Sequence, residues 1–296
     1  MKEVLTAAVV LVGAVTSVLS GQPKPPGTIH TRQVFVAVTD RTGAPVLDLG
    51  PADFEITEAG VKREVARAGL AKSPMRIALV IDTSDGTSEA VSMIRKGLAD
   101  FIDALPPQHE VMMASTGRQM RVRIPPTTDR KKLADAARGL FADGGATRLM
   151  DGLLEIDDRF MKNAEDRWPV FVIITGDGAE SSSGGNEKKF NDWVRGLPAR
   201  GIVAHGIVLK NKGQGMPEVV TSHMAQTTGG HYDVMNTSNS LPAKLAAVAG
   251  QLIRDFAGVQ TKYAIAFHTD AADDGRVSIG VARQGVTLQL TNGRLR

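Results

Sequence analysis

The chain has 296 residues, 42% of them hydrophobic and 23% charged, and 35 Lys and Arg against 32 Asp and Glu leave a net charge of +3. That length suits one large domain, or one with a small companion, and the scattered bases leave no footprint for nucleic acid. With no cysteine, disulfides, thiolate metal sites and cysteine nucleophiles are excluded, and the six histidines fall in no zinc-type spacing.

Lys2 precedes Val4 to Leu19, an almost uncharged run rich in Ala, Val and Leu. The run is shorter than the ~20 apolar residues that a membrane span needs. Residues 1–20 therefore read as a secretory signal peptide cleaved near Ser20 or Gly21, although Glu3 weakens the positive start. The alternative is an uncleaved anchor. Export to the periplasm or the extracellular space is the expectation, with no membrane attachment after cleavage. Residues 21–27, with three prolines, read as a linker.

Residues 28–71 carry three predicted strands, Gln33–Val38, Asp53–Thr57 and Val61–Arg67, with a tight turn at Glu58-Ala59-Gly60. This segment is too short to hold its own core. From Met75 the pattern alternates strands with helices up to residue 260. The strands are Met75–Ile81, Glu110–Ser115, Gln119–Ile124, Val170–Thr175, Ile202–Leu209 and His231–Met235, and the second and third follow closely enough to form a hairpin. Apolar residues at helical spacing place helices over Val91–Leu105, Asp129–Leu140, Leu149–Phe160, Glu187–Leu197, Pro217–Thr227 and Leu241–Val259. Such alternation implies a doubly wound, mostly parallel sheet. Residues 262–296 return to strands at Tyr263–His268, Val277–Val281 and Val286–Leu290, turning at Asp273-Asp274-Gly275 and Arg283-Gln284-Gly285. The two β segments are expected to pair into one small sandwich, with the α/β domain of residues 75–260 inserted between them.

Met75 to Ile81 is an almost unbroken apolar run, as in a strand buried on both faces. It stops at Asp82, and Asp82-x-Ser84 aims a carboxylate and a hydroxyl into the crevice at the strand's carboxyl end, where open α/β sheets place their ligands. Hard oxygens of this kind suit Mg²⁺ or Mn²⁺ rather than zinc. Two more loops should meet the first: Gly144-Gly145-Ala146-Thr147 ahead of Arg148, and Gly176-Asp177-Gly178 after the strand Val170–Thr175. A loop carboxylate contributes little to a core, so removing Asp82 is expected to leave the fold largely intact.

These three pieces, in order and on the right elements, resemble the von Willebrand factor type A domain and its metal-ion-dependent adhesion site. The resemblance covers roughly Met75 to Val259 and implies a Rossmann-like sheet whose usual activity is binding protein partners, not catalysis. It implies Asp82, Ser84, Thr147 and Asp177 as the metal-site residues. The flanking β segments look like those of bacterial secreted proteins that carry such a domain within a small β module. Two positions depart from the family pattern. Gly86 stands where the last serine of Asp-x-Ser-x-Ser belongs, and Gly176 separates Thr175 from Asp177 where the family reads Thr-Asp-Gly. Loss of the hydroxyl at position 86 is expected to weaken any metal by at least the ~10–100-fold typical of a lost supporting partner.

Other readings compete. Asp and Ser at strand–helix junctions also close turns and cap helices. Gly176-Asp177-Gly178-Ala179-Glu180-Ser181 mimics a dinucleotide fingerprint, but a serine replaces the third glycine and the loop runs on before any helix. A nucleotide-binding enzyme and a metal-free scaffolding protein are therefore the alternatives to a metal-assisted adhesion module. Ser84 lacks the first glycine of a hydrolase elbow. His205 and His231 read as packed or surface groups, Arg148 as a partner for a nearby carboxylate, and Ser181 to Asn186 as a surface loop at the ligand face.

Overall fold

The computed structural model describes residues 30–162, 167–183, 186–210, 215–269 and 277–290. The leader-like stretch, the linker and the turn at Asp273-Asp274-Gly275 lie outside the described residues.

The chain opens with β1 (His30–Asp40), β2 (Phe54–Glu58), β3 (Val61–Arg63) and β4 (Val65–Leu70). It then enters the α/β unit. This runs β5 (Met75–Ile81), α1 (Val91–Ala104), β6 (Glu110–Ser115), β7 (Arg121–Thr127), α2 (Arg130–Arg138) and α3 (Leu149–Ile156). It continues through β8 (Trp168–Gly176), α4 (Asn186–Gly196), β9 (Val203–Leu209), α5 (Met216–Thr228), β10 (Tyr232–Met235) and α6 (Leu241–Val259). The chain returns through β11 (Tyr263–Thr269), β12 (Val277–Val281) and β13 (Val286–Leu290).

Six strands form the central sheet in the order β10-β9-β8-β5-β6-β7. All neighbours are parallel except the β6–β7 hairpin. The unbroken apolar runs of β5 and β8 take the middle, where both faces are covered. Ile77, Leu79 and Ile81 pack with α1, α2 and α6 on one side. Ala78 and Val80 pack with α3, α4 and α5 on the other. Among the described residues no helix is long and apolar enough to cross a membrane.

The outer segments form two antiparallel sheets, β13-β1-β11-β4 and β12-β2-β3. Val36, Val38, Phe54, Ile56, Ile265 and Phe267 fill the space between them, and the Tyr263 hydroxyl donates to Val46 O at 3.0 Å while accepting from Leu49 N at 2.9 Å. Glu58, fully buried on β2, is a charged tie in this core. It forms ion pairs with Arg32 of β1 and, at 3.1 Å, with Arg63 of β3, and it accepts from Thr269 of β11. Burial would raise its pKa, but the Thr269 hydrogen bond and the arginines outweigh that and hold it below the ordinary glutamate value. The two units meet where Ala71 N donates to Lys262 O at 2.7 Å and where Phe35 packs on Gly201, whose carbonyl accepts from Trp168 Nε1 at 2.8 Å.

The structure corrects two element readings. Val61–Arg67 is two strands: β3 pairs with β2, the chain changes sheets at Glu64, and β4 pairs with β11. Alternation alone cannot reveal such a crossing, because both strands keep the same period. The helix expected to reach Phe160 leaves α-helical bonding after Ile156 and widens into a π turn over Asp157–Met161. There the buried Asp157 accepts two bonds from Arg200, at 2.7 and 2.8 Å, and one from Trp193 Nε1 at 2.7 Å.

Candidate metal and partner-binding site

Asp82 follows the last residue of β5, and its amide still donates to Ile174 O of β8 at 2.8 Å. This keeps the carboxylate at the carboxyl edge of the sheet with no exposed surface. Oδ1 accepts from Ser84 N at 2.8 Å, and Oδ2 accepts from Thr175 Oγ1 at 3.0 Å and Gly176 N at 3.1 Å. Among the described residues no basic side chain stands within ion-pair distance of it. Ser84 caps the short 3-10 turn Asp85–Ala90, its Oγ accepting from Gly86 N at 3.3 Å. Thr87, just past the missing serine, donates its hydroxyl to Asp82 O at 2.7 Å and so is turned back into the loop.

Main-chain bonds draw the other loops in. Gly144 and Gly145 adopt φ of 71° and 70°, which glycine tolerates cheaply. Their turn lets Asp143 N and Gly144 N donate to Thr83 O at 2.8 and 3.2 Å, and lets Gly145 O accept from Asp85 N at 3.0 Å. Thr147 is buried; its Oγ1 donates to Thr116 O at 2.5 Å and lies 3.0 Å from Thr116 Oγ1. Thr116 in turn donates its amide to Ile81 O at 2.9 Å. The third loop joins through Thr147 N to Ala179 O at 2.9 Å and Ser181 N to Thr147 O at 2.7 Å. Asp82 and Ser84 therefore touch directly, Thr147 is linked through Thr116 to Ile81, the residue before Asp82, and Asp177 lies in the third loop with its carbonyl against Gly215.

The two departures from the family motif pack on each other. A Cβ at Gly176 would stand 2.7 Å from Gly86 O and 3.0 Å from Gly86 C. A Cβ at Gly86 would stand 3.3 Å from both Cα and N of Gly178, and 3.5 Å from Ser84 Oγ. The first and third loops thus meet backbone to backbone, which a larger residue at position 176 forbids. Gly86 is not among the glycines with positive φ, so space rather than backbone strain limits a serine there.

Residues 77–180, which hold all three loops, match the von Willebrand factor type A domain family. The chain carries a type A domain. No curated protein matches the chain. A von Willebrand factor type A structure from Catenulispora acidiphila aligns with a TM-score of 0.52 at 12% identity, over 87% of this chain and 72% of that one. Proximal thread matrix protein 1 of the mussel byssus aligns at 0.48 and 15% identity over 60% of this chain, and the match spans only 47% of that protein. The conserved hypothetical protein BatB of Bacteroides thetaiotaomicron aligns at 0.48 and 13% identity, over 61% and 99%. At these identities the likeness concerns the fold.

Whether this type A domain's residues fit a divalent cation is decided by Asp82. A buried carboxylate with neutral donors but no cation lacks the partner that buried charges require. A carboxylate oxygen takes about two hydrogen bonds, so Oδ1, with one, keeps an acceptor position. Ser84 Oγ and Thr147 Oγ1 add neutral hard oxygens, so the donor set fits Mg²⁺ or Mn²⁺ in kind. Among the described residues no group of three or more His, Asp or Glu side chains is placed to hold a metal. Three protein donors, Ser84 N, Thr175 Oγ1 and Gly176 N, depend on Asp82.

Four residues support the site in ways the sequence did not show: Thr116, Asp143, Thr175 and Glu180. Asp143 accepts from Thr83 Oγ1 at 2.7 Å and from Arg123 at 2.5 Å. Burial pushes its pKa up, but the Thr83 bond and the charges of Arg123 and Arg121 hold it below the ordinary value. Its signal was its place directly before the paired glycines. Glu180 straps the third loop to α3, accepting from Leu149 N at 2.9 Å and Ser182 N at 2.7 Å, and burial raises its pKa. Arg148 pairs with Asp151 at 2.7 Å. His205 is buried, with its Nδ1 accepting from His231 N at 3.2 Å and its pKa pushed down to about 4 by burial, whereas His231 is exposed. The dinucleotide reading loses its support: Gly176 and Gly178 serve the contact with Gly86, and the chain next bridges Glu180 to Thr147 rather than opening a helix.

Proposed function

We propose that the chain is an exported, non-catalytic protein-binding module of the adhesion type. Its contact face is formed by Asp82, Ser84, Thr147 and Asp177, which hold Mg²⁺ or Mn²⁺ and meet an acidic group of a partner protein. The observation that carries this reading is Asp82, a fully buried carboxylate with no cationic partner among the described residues. A divalent ion there supplies positive charge and an open position for a partner's carboxylate, because hydroxyls and water leave it electrophilic. The apolar run Val4 to Leu19 supports export, and protein recovered outside the cytoplasm should begin near Gly21 or Gln22.

A metal-free scaffolding module is the second reading, favoured by the three protein donors already on Asp82. Thermal melts with chelator, Mg²⁺, Mn²⁺ and Ca²⁺, joined to calorimetric titration of Mn²⁺ into wild type and Asp82→Ala, separate the two. The metal reading requires stabilisation by Mg²⁺ or Mn²⁺ and heats that vanish in Asp82→Ala. Identical weak heats in both proteins overturn it.

A further inference from the structure

The β6–β7 hairpin carries a surface that the metal site does not use. Residues 117–123 read GRQMRVR, three arginines without an acid. Arg118 is exposed, lies across Gly145, and has no carboxylate within ion-pair distance among the described residues. Its Cγ would sit 2.9 Å from a Cβ at Gly145. Arg121, 48% exposed, reaches Asp143 only at 3.6 Å. Arg123 stacks its guanidinium 4.5 Å from the ring centre of Phe141, which is 46% exposed and belongs to no core cluster. The carboxylates that face this group are Asp143 and, across Gly144, Asp85. The lip is continuous with the first site loop through the Asp143–Thr83 hydrogen bond.

We propose that Arg118, Arg121, Arg123 and Phe141 form a docking lip for an acidic, partly apolar peptide segment of the partner protein. This rests on reading the loop face as a protein-binding face and does not need the metal. Arginine and aromatic side chains dominate the energetic centres of interfaces, and here Arg118, Arg121 and Phe141 stand exposed together without a core role, while the largely buried Arg123, held by Asp143 and Ser115, backs the Phe141 ring. Positive charge exceeds negative across the lip, so carboxylates complement it, and the Phe141 ring offers apolar area beside them. A nucleic acid fits less well: the patch is short, acids interrupt it, and the chain has no basic stripe.

The test is fluorescence anisotropy of a labelled peptide alternating glutamate and leucine, with the full chain. A lysine-for-glutamate peptide and a single-stranded oligonucleotide are the controls. Arg118→Glu and Phe141→Ala should each weaken the peptide about tenfold, the size of an interface anchor, and added salt should weaken it further. Both side chains are exposed, so thermal melts should match wild type and certify the fold. The proposal is overturned if the acidic peptide does not bind, if both variants bind it like wild type, if the lysine peptide binds equally, or if the oligonucleotide binds more tightly and is lost in the same variants. Retained Mn²⁺ heats alongside an unaffected or absent peptide signal condemn the lip alone. Absent Mn²⁺ heats alongside lip-dependent peptide binding condemn the metal reading alone.

Discussion

Among the described residues two carboxylates have no exposed surface, Glu58 in the sandwich and Asp82 at the edge of the central sheet, and their surroundings differ in one respect. Glu58 is met by the guanidinium groups of Arg32 and Arg63 as well as by the Thr269 hydroxyl. Asp82 is met by two amides and one hydroxyl, with no cation among the described residues. Neutral donors orient a buried carboxylate but do not cancel its charge. The sandwich therefore carries its countercharge in its own sequence, whereas in the proposed reading the loop face takes its countercharge from an outside cation.

The largest effect expected from breaking this comparison comes from Glu58→Gln, which removes the countercharge that Arg32 and Arg63 share inside the sandwich. Loss of one partner of a buried pair costs ~3–5 kcal/mol, and denaturant unfolding should show it. An unchanged midpoint would mean that the arginines escape to water. Acid comes next. His109 and His205 ordinarily titrate at 6.5, and burial holds both down to about 4 in the fold, so the unfolded chain takes up their protons first. Their contribution is complete above pH 6.5 and is lost as the pH falls toward 4. Glu58 is depressed below the ordinary 4.5, so its contribution is lost only beneath that value, as the pH falls through the folded pKa. The α/β unit, which holds Trp168 and Trp193, should thus loosen before the sandwich. Tryptophan emission should change at higher pH than amide protection in β1 and β11, and the reverse order would refute the assignment.

Asp82→Ala should cost ~1–3 kcal/mol without metal, because Ser84 N, Gly176 N and the Thr175 hydroxyl lose their acceptor. It should also erase the Mn²⁺-dependent rise in melting temperature, which for wild type at a hundredfold excess over Kd is worth ~2.7 kcal/mol. Gly86→Ser should be the mildest, changing metal-free stability by about 1 kcal/mol or less as Gly178 shifts by a few tenths of an ångström. It should tighten Mn²⁺ in calorimetry by restoring a hydroxyl; weaker binding than wild type would mean that the shift of Gly178 disturbs Asp177.

What the sequence disclosed follows from the range of the forces involved. The strand ending at Asp82 and the helix Leu241–Val259 were legible because burial on both faces or on one stripe writes itself into consecutive residues. Thr147 and Asp177 were recognisable only through the order of three loops. The split at Glu64, the role of Asp143 and the packing of Gly86 against Gly176 were not legible, since each depends on a neighbour far along the chain. A glycine in place of a motif serine reads as a loss until the opposing backbone is seen to occupy the space.

The pairing of Leu70 with Tyr263 has a consequence for the order of assembly. The hydrogen bond from Leu49 N to the Tyr263 hydroxyl spans 214 residues of chain, a costly closure for a disordered loop. If the α/β unit folds first, that loop collapses to a body whose two ends emerge side by side, and the remaining strands need only zip across a short gap. The sandwich is then the late, slow event of folding, governed by contacts remote in sequence, and its formation reports that the inserted domain is already complete.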